Sequence, residues 1–321
     1  MKIAREVASG IFLIELPLPF ELESVNVYLA RLDEGYLLID CGMQLDAAFE
    51  TLQAGVRELG IGWRNIRLIL LTHMHPDHMG MTARLLELSG AKLIMHETEA
   101  EHLREVARAG RRLPWIDLAF DHAGVPDESR ARMDRHFRDI RRNFYELTPD
   151  RLLCGGEEIE TAEGPLEALW TPGHSPGHLC LYSRGRKILF SGDQILERIT
   201  PNIAWHPERD TLGDFLTSLE RLREIEVDLI LPSHGPPFSG HRAWIAQTAA
   251  HHAERCDEIA GLIAETPRTA FGLVGELWRK PLSPINHHFA VFEVLAHLEY
   301  MRRLGRAHAS TGEGAINWSA G

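Results

Sequence analysis

The chain has 321 residues, enough for one large domain or for one with a small appendage, and 44% of them are hydrophobic, which supplies a sizeable core. It carries 34 Lys and Arg against 46 Asp and Glu, a formal net charge of -12, so as a whole it repels phosphate backbones and acidic membrane surfaces. Its four cysteines (Cys41, Cys154, Cys180 and Cys256) are scattered and form no C-x-x-C pair, which excludes a zinc ribbon or a disulfide framework and reads as a reducing, cytoplasmic setting.

The first twenty residues, MKIAREVASGIFLIELPLPF, are apolar in part, but Glu15, Pro17 and Pro19 interrupt them. They read as a first strand and not as a signal peptide. No segment approaches eighteen uninterrupted apolar residues, so no membrane span is expected. IFLIEL (11–16), VNVYLA (25–30) and GYLLID (35–40) are short aliphatic runs between Pro, Glu and Gly punctuation and predict a strand meander. Leu45, Phe49, Leu52, Val56 and Leu59 then recur at helical spacing. IRLILLT (66–72) is apolar almost throughout, as a strand buried on both faces should be. A helix over 79–89 and a strand at KLIMHE (92–97) follow.

Residues 98–147 differ: they are charged, arginine-rich and helical in period, and read as an inserted helical cap. Strands resume at EALWTP (167–172), and HLCLYS (178–183) with KILFSG (187–192) flank an Arg-Gly-Arg turn as a hairpin. A helix with Leu212, Phe215, Leu216, Leu219, Leu222 and Ile225 on one face follows, with Thr211 and Asp214 as its capping-box-like start. VDLILP (227–232) is the last buried strand. From 241 helices dominate to residue 308, and residues 241–321 balance eight basic against eight acidic side chains. The Gly, Ser and Ala content of 309–321 predicts a flexible tail.

The chemistry concentrates where the strand at 66–72 stops. In LLTHMHPDHMG, His73 and His75 leave the strand at i and i+2 and can project toward one point, with Asp77 and His78 within reach of a second. Neutral imidazoles and a carboxylate are the ligand set of zinc or another borderline transition metal. TPGHSPGH (171–178), SGD (191–193) and PSHG (232–235) each follow an apolar run and each hold a ligand-type residue near a glycine. Four strand ends with the same chemistry point to one edge of a sandwich.

His73-Met74-His75-Pro76-Asp77-His78, with His174, Asp193 and His234 in that order, resembles the metallo-β-lactamase superfamily over residues 1 to about 240, with a hydroxyacylglutathione-hydrolase-like core. The resemblance implies an α/β fold, a four-layer αββα sandwich. It implies one metal on His73, His75 and His174, a second on Asp77, His78 and His234, and Asp193 bridging both. The cofactors implied are two divalent ions, zinc first and iron or manganese as alternatives. Such a pair lowers the pKa of a shared water toward neutrality, with Asp77 as the catalytic group that aligns it and passes a proton to the leaving group. Residues 241–308 resemble the winged-helix-like extension of some members.

Asp40 and Thr72 lie at strand ends that should border the site and are expected to orient ligand histidines. His178 is one histidine beyond the seven ligands and is expected to be structural or to support a ligand. His251-His252 and His287-His288 read as exposed or satisfied histidines, and Cys41 as a small buried residue. Trp115, Phe120 and Phe144 could either shape an acyl pocket or form the cap's own small core. The stretch after Asp193, DQILERITPNIAWHPERD, departs from the glutathione-hydrolase pattern and lacks the tyrosine of quorum-quenching lactonases. The function expected is hydrolysis of a thioester, ester or lactone, with a small acyl compound as partner. A phosphodiesterase or endoribonuclease acting on RNA is the alternative, and a DNA-binding regulator a third. A homodimer stays open.

Overall fold

In the computed structural model the structure describes residues 2–19, 22–109, 114–141, 144–312 and 314–321. By contacts the chain divides into two compact units. The first is a sandwich unit of residues 1–108, 143–201 and 221–244, and the second a helical unit of residues 109–142, 202–220 and 245–321.

The sandwich unit opens with the meander β1 (Ala4–Ala8), β2 (Ile11–Pro17), β3 (Ser24–Arg31) and β4 (Tyr36–Ile39), all antiparallel neighbours. Helix α1 (Asp46–Glu58) turns its apolar stripe of Phe49, Leu52 and Val56 inward and packs against β2. The chain then adds β5 (Ile66–Leu70), the short helix α2 (Pro76–Met79), α3 (Thr82–Ser89) and β6 (Lys92–His96). After α4 (Glu97–Ala109), β7 (Arg151–Leu153) completes a seven-stranded sheet in sequence order whose β4 to β7 run parallel.

A second, five-stranded sheet is formed by β8 (Glu158–Ile159), β9 (Leu166–Trp170), β10 (Leu179–Ser183), β11 (Ile188–Gly192) and β12 (Leu229–Pro232), with β10 and β11 the expected hairpin. The two sheets share one core. Leu13, Tyr28, Leu37, Leu70 and Ile94 of the first pack with Leu166, Leu181, Phe190 and Leu231 of the second, and the Tyr28 and Phe190 rings meet edge-on at 5.4 Å. Two sheets face to face, with α1 and α3 outside the first, make the expected α/β sandwich.

The helical unit contains α5 (Pro114–Ala123), α6 (Asp127–Arg141), most of α7 (Thr211–Arg223) and of α8 (His241–Glu265), α9 (Ala270–Leu277), α10 (Pro284–Arg303), and the hairpin β13 (Ala307–Thr311) with β14 (Ile316–Ala320). Helix α10 is its axis, buried at Val291, Phe292, Val294, Leu295, Leu298 and Met301 and touching α5, α6, α9 and β13.

Three sequence expectations change here. Residues 309–321 form no loose tail: their described part pairs as β13 and β14, because Trp318 is buried and its backbone exchanges two hydrogen bonds with Arg268. The insertion 98–147 is not one cap. Its residues through 108 join the sandwich unit and 109–142 join the helical unit, where fully buried Phe120 packs on Phe292 and His288, and Trp115 on Phe292. Phe120 therefore belongs to the core of the helical unit, with the half-buried Trp115 packed at its side. Helix α7 is capped one residue early, by Asp210, whose Oδ1 accepts from the Gly213 N–H at 3.0 Å.

Candidate metal centre

Strand β5 delivers Thr72 and His73 at its end, fully buried, and the chain stays extended to His75, the N-cap of α2. Pro76 occupies the first helical position, where its fixed φ suits the helix and its missing N–H costs nothing. Asp77 and His78 follow within the helix. The spacing His-x-His-Pro-Asp-His is thus an extended step followed by one helical turn.

The hydrogen bonds on the far side of the rings fix which nitrogen faces the centre. His78 Nδ1 donates to Asp40 Oδ2 at 2.9 Å, and His234 Nδ1 donates to the Ser24 carbonyl at 2.8 Å. The Thr72 hydroxyl donates to Asp40 at 2.8 Å and so accepts from His73 Nδ1 at 3.0 Å. All three rings therefore turn Nε2 inward. His75 Nδ1 lies 2.9 Å from His73 Nε2 and 3.0 Å from His174 Nε2.

Two groups of ligand-type atoms result: His73, His75, His174 and Asp193 in one, and Asp77, His78 and His234 in the other, each with its atoms within 4.8 Å of one another. Asp193 faces both. Its Oδ2 is 3.4 Å from His174 Nε2, while its Oδ1 is 3.5 Å from His78 Nε2 and 3.6 Å from His234 Nε2. Asp77 Oδ2 is 3.4 Å from His234 Nε2.

This donor set fits divalent cations. His78 Nε2 and Asp193 Oδ1 are buried without a hydrogen-bond partner, and three imidazole nitrogens converge on a spot where one proton can serve only one pair. Burial drives His73 well below its ordinary pKa and His75 down to about 3, so both are neutral and able to ligate. Although burial opposes it, the neighbouring histidines hold Asp77 and Asp193 well below the usual carboxylate range. The same carboxylates, against the effect of burial, raise His78 well above and His234 above the ordinary histidine value, so a cation binding there would displace protons from these two rings.

The residues expected around the ligands are also in place. Asp40, left-handed at φ 60°, accepts from the Thr72 N–H as well as from His78 and the Thr72 hydroxyl. His178 touches the backbone of Asp193. Cys41 is fully buried, and burial pushes its thiol far up.

Sequence reading missed the residues that fasten the loops. Asn26 Nδ2 donates to the carbonyls of Pro232 and Gly235 at 2.8 and 2.7 Å, and the Tyr28 hydroxyl also donates to Pro232, which together anchor the His234 loop. A polar residue inside the apolar run VNVYLA was the available signal. Glu99, fully buried, accepts from Met74 and Gly177 N–H groups at 2.8 and 2.7 Å and from the Ser175 hydroxyl. Burial pushes its carboxyl up despite these donors.

Comparison with known proteins agrees with the geometry. Residues 21–234 match the family described as the metallo-beta-lactamase superfamily, and residues 256–320 match its metallo-beta-lactamase-like C-terminal domain. A probable metallo-hydrolase of Bacillus subtilis, YqjP, is 26% identical over 83% of this chain and 84% of its own length. The acyl-coenzyme A thioesterase MBLAC2 of Gallus gallus is 28% identical over 80% of this chain and 89% of its own. Among solved structures, a metallo-beta-lactamase family protein of Thermus thermophilus superposes with a TM-score of 0.85 at 30% identity, covering 98% of this chain and 100% of that one. A beta-lactamase domain protein of Burkholderia ambifaria reaches 0.88, also at 30% identity, over 99% and 94%. The chain belongs to the metallo-beta-lactamase superfamily and is one of its metallo-hydrolases.

Proposed function

We propose that this metallo-hydrolase cleaves acyl thioesters of the acyl-coenzyme A type, with one divalent cation, zinc first among the alternatives, in each of its two ligand groups. The observation that carries the two-cation reading is Asp193, whose carboxylate oxygens face different groups, one of them with no hydrogen-bond partner. Bound there, the cations would supply Lewis acidity toward the acyl oxygen and make water nucleophilic near neutral pH.

The chain's own groups suit a thioester. Asp77 is held as a carboxylate, well able to orient a water proton and poor at delivering one. A thiol leaving group, with an ordinary pKa near 8.5, departs as thiolate without an acid. An alkoxide or amine leaves far less readily unprotonated. Likeness to an acyl-coenzyme A thioesterase over most of both chains supports the same substrate class.

The RNA alternative is less well supported. The net charge of -12 disfavours gathering phosphates, and in the arginine-rich insertion Arg104 and Arg108 pair with Glu146, Arg130 with Asp121 and Arg132 with Glu128. A DNA-regulator role fits poorly with an α10 buried over most of its surface. Among the described residues no helix is long and apolar enough to cross a membrane, and all four cysteines are free, which supports a cytoplasmic enzyme acting on a small acyl compound.

The test is a side-by-side assay of acyl-coenzyme A thioesters, lactones, bis-p-nitrophenyl phosphate and single-stranded RNA on zinc-loaded protein. The highest kcat/KM is expected on a thioester. Faster turnover of a phosphodiester or RNA would overturn the proposal.

A further inference from the structure

We infer that Glu99 is a positioning residue of the metal centre, clasping together the two loops that carry His73, His75 and His174. This rests on the two-cation reading above.

Glu99 stands in the first turn of α4, its side chain withdrawn from water into the base of the site. Its Oε1 accepts from the Met74 N–H at 2.8 Å, and Met74 separates His73 from His75. The same oxygen accepts from the hydroxyl of Ser175, the neighbour of His174. Its Oε2 accepts from the Gly177 N–H at 2.7 Å, at the far end of the second loop. One carboxylate thus spans two segments far apart in sequence, fastening each through residues beside the ligands.

The second loop is built to approach it. A Cβ at Gly177 would sit 2.4 Å from the Glu99 nitrogen and 2.6 Å from its Cβ, so only glycine lets this backbone close on α4. Behind it, the Trp170 indole N–H donates to the Pro176 carbonyl at 3.0 Å, and the ring stacks on His96 at 5.2 Å, just before α4 begins.

Buried carboxylates therefore support the two groups unequally: Asp40 reaches His73 as well as His78, through the Thr72 hydroxyl, whereas Glu99 fastens only the loops of the first group. Asp40 holds His78 directly, while Glu99 sets the distance between His174 and the His73–His75 pair. Loss of Glu99 should loosen one cation and spare the other. Its amide isostere is a sharp probe, because both oxygens face donors: a glutamine must set its own N–H against the N–H of either Met74 or Gly177.

The experiment is a stepwise zinc titration of the full chain against a chromophoric chelator, for wild type, Glu99→Gln, Ser175→Ala and Asp40→Asn, with cobalt(II) absorption spectra of each. Glu99→Gln is expected to weaken one of two binding steps by about 10- to 100-fold, to leave the other within about threefold, and to alter the cobalt spectrum of the weakened step. Ser175→Ala, which keeps both backbone donors, should weaken the same step by less than tenfold, and Asp40→Asn, which reaches His78 directly and His73 through Thr72, should weaken both. Unchanged affinities in both Glu99→Gln and Ser175→Ala, or equal loss of both cations in Glu99→Gln, would overturn the clasp. If Glu99→Gln does not fold, unchanged affinity in Ser175→Ala alone overturns it. Wild type that binds fewer than two cations would instead overturn the two-cation reading.

Discussion

His178 Nε2 accepts a hydrogen bond from the backbone N–H of Asp193 at 3.1 Å. Its other nitrogen must therefore carry the proton, which it donates to the Thr171 hydroxyl at 2.8 Å. Burial drives its pKa well below the ordinary histidine value, and only the neutral ring can accept in this way. The one histidine beyond the seven ligand-type residues thus fixes the main chain of the carboxylate that faces both ligand groups.

Gly192 makes this contact possible, since a Cβ there would lie 2.4 Å from His178 Nε2 on a backbone already left-handed at φ 53°. Gly192→Ala should destabilise the protein by about 1–3 kcal/mol and reduce hydrolysis more than tenfold. Urea unfolding and a progress curve on the best thioester check both. A neutral outcome would show that the ring can move aside freely.

Chelation should remove activity in proportion to cation loss, and added zinc should restore it. His75→Ala removes the nitrogen that meets both His73 and His174, and is expected to lower the cation content and abolish turnover. Metal analysis of the purified variant, together with its kcat, measures this. Full activity in stripped wild type would refute the metal chemistry.

A buried histidine pair outside the site contributes to the acid dependence of stability. In the helical unit His297 Nδ1 donates to the Glu293 carbonyl at 2.8 Å, so its Nε2 accepts from His252 Nδ1 at 3.1 Å. Burial lowers His252 to about 3 and His297 to about 4, against an ordinary 6.5. Folded histidines that resist protons lose ground to an unfolded chain that takes them up. Stability should therefore hold above pH 6.5 and fall between pH 6.5 and about 4, by at most about 1.4 kcal/mol per pH unit for each ring. Unfolding at pH 7.5 and 5.0 should show a shallower loss for His252→Gln than for wild type.

Trp318, at the centre of β14, is buried and tied to Arg268 through two backbone hydrogen bonds. Trp318→Ala should cost about 3–5 kcal/mol, read as a lower unfolding midpoint of the helical unit. An unchanged midpoint would restore the loose tail that composition suggests.

Composition and period revealed β2 to β6, β9 to β12, α1 and the ligand-type residues, because each of these is written in contiguous sequence, but not β7, β8, β13 or β14. LLTHMHPDHMG places two histidines, a proline and an aspartate-histidine pair at the end of one strand, which is local information. Asn26, Tyr28 and Glu99 stayed hidden because their partners lie far away along the chain. Within ETEAEHLREV, Glu99 looks like its solvated neighbours, and only the folded loops distinguish it. The same holds for Phe120, which periodicity marks as apolar without saying which helix it will meet.

That last pairing limits how the protein can be divided. Phe120 lies within the stretch matching one family and Phe292 within the stretch matching another, yet their rings touch at 5.9 Å inside a single core. A cut at the border of the two matches would leave aromatic side chains bare on both fragments. Chimeras that exchange only the residues from 245 onward between relatives should aggregate, whereas those that carry residues 109–142 and 202–220 along with them keep the hydrophobic interior whole.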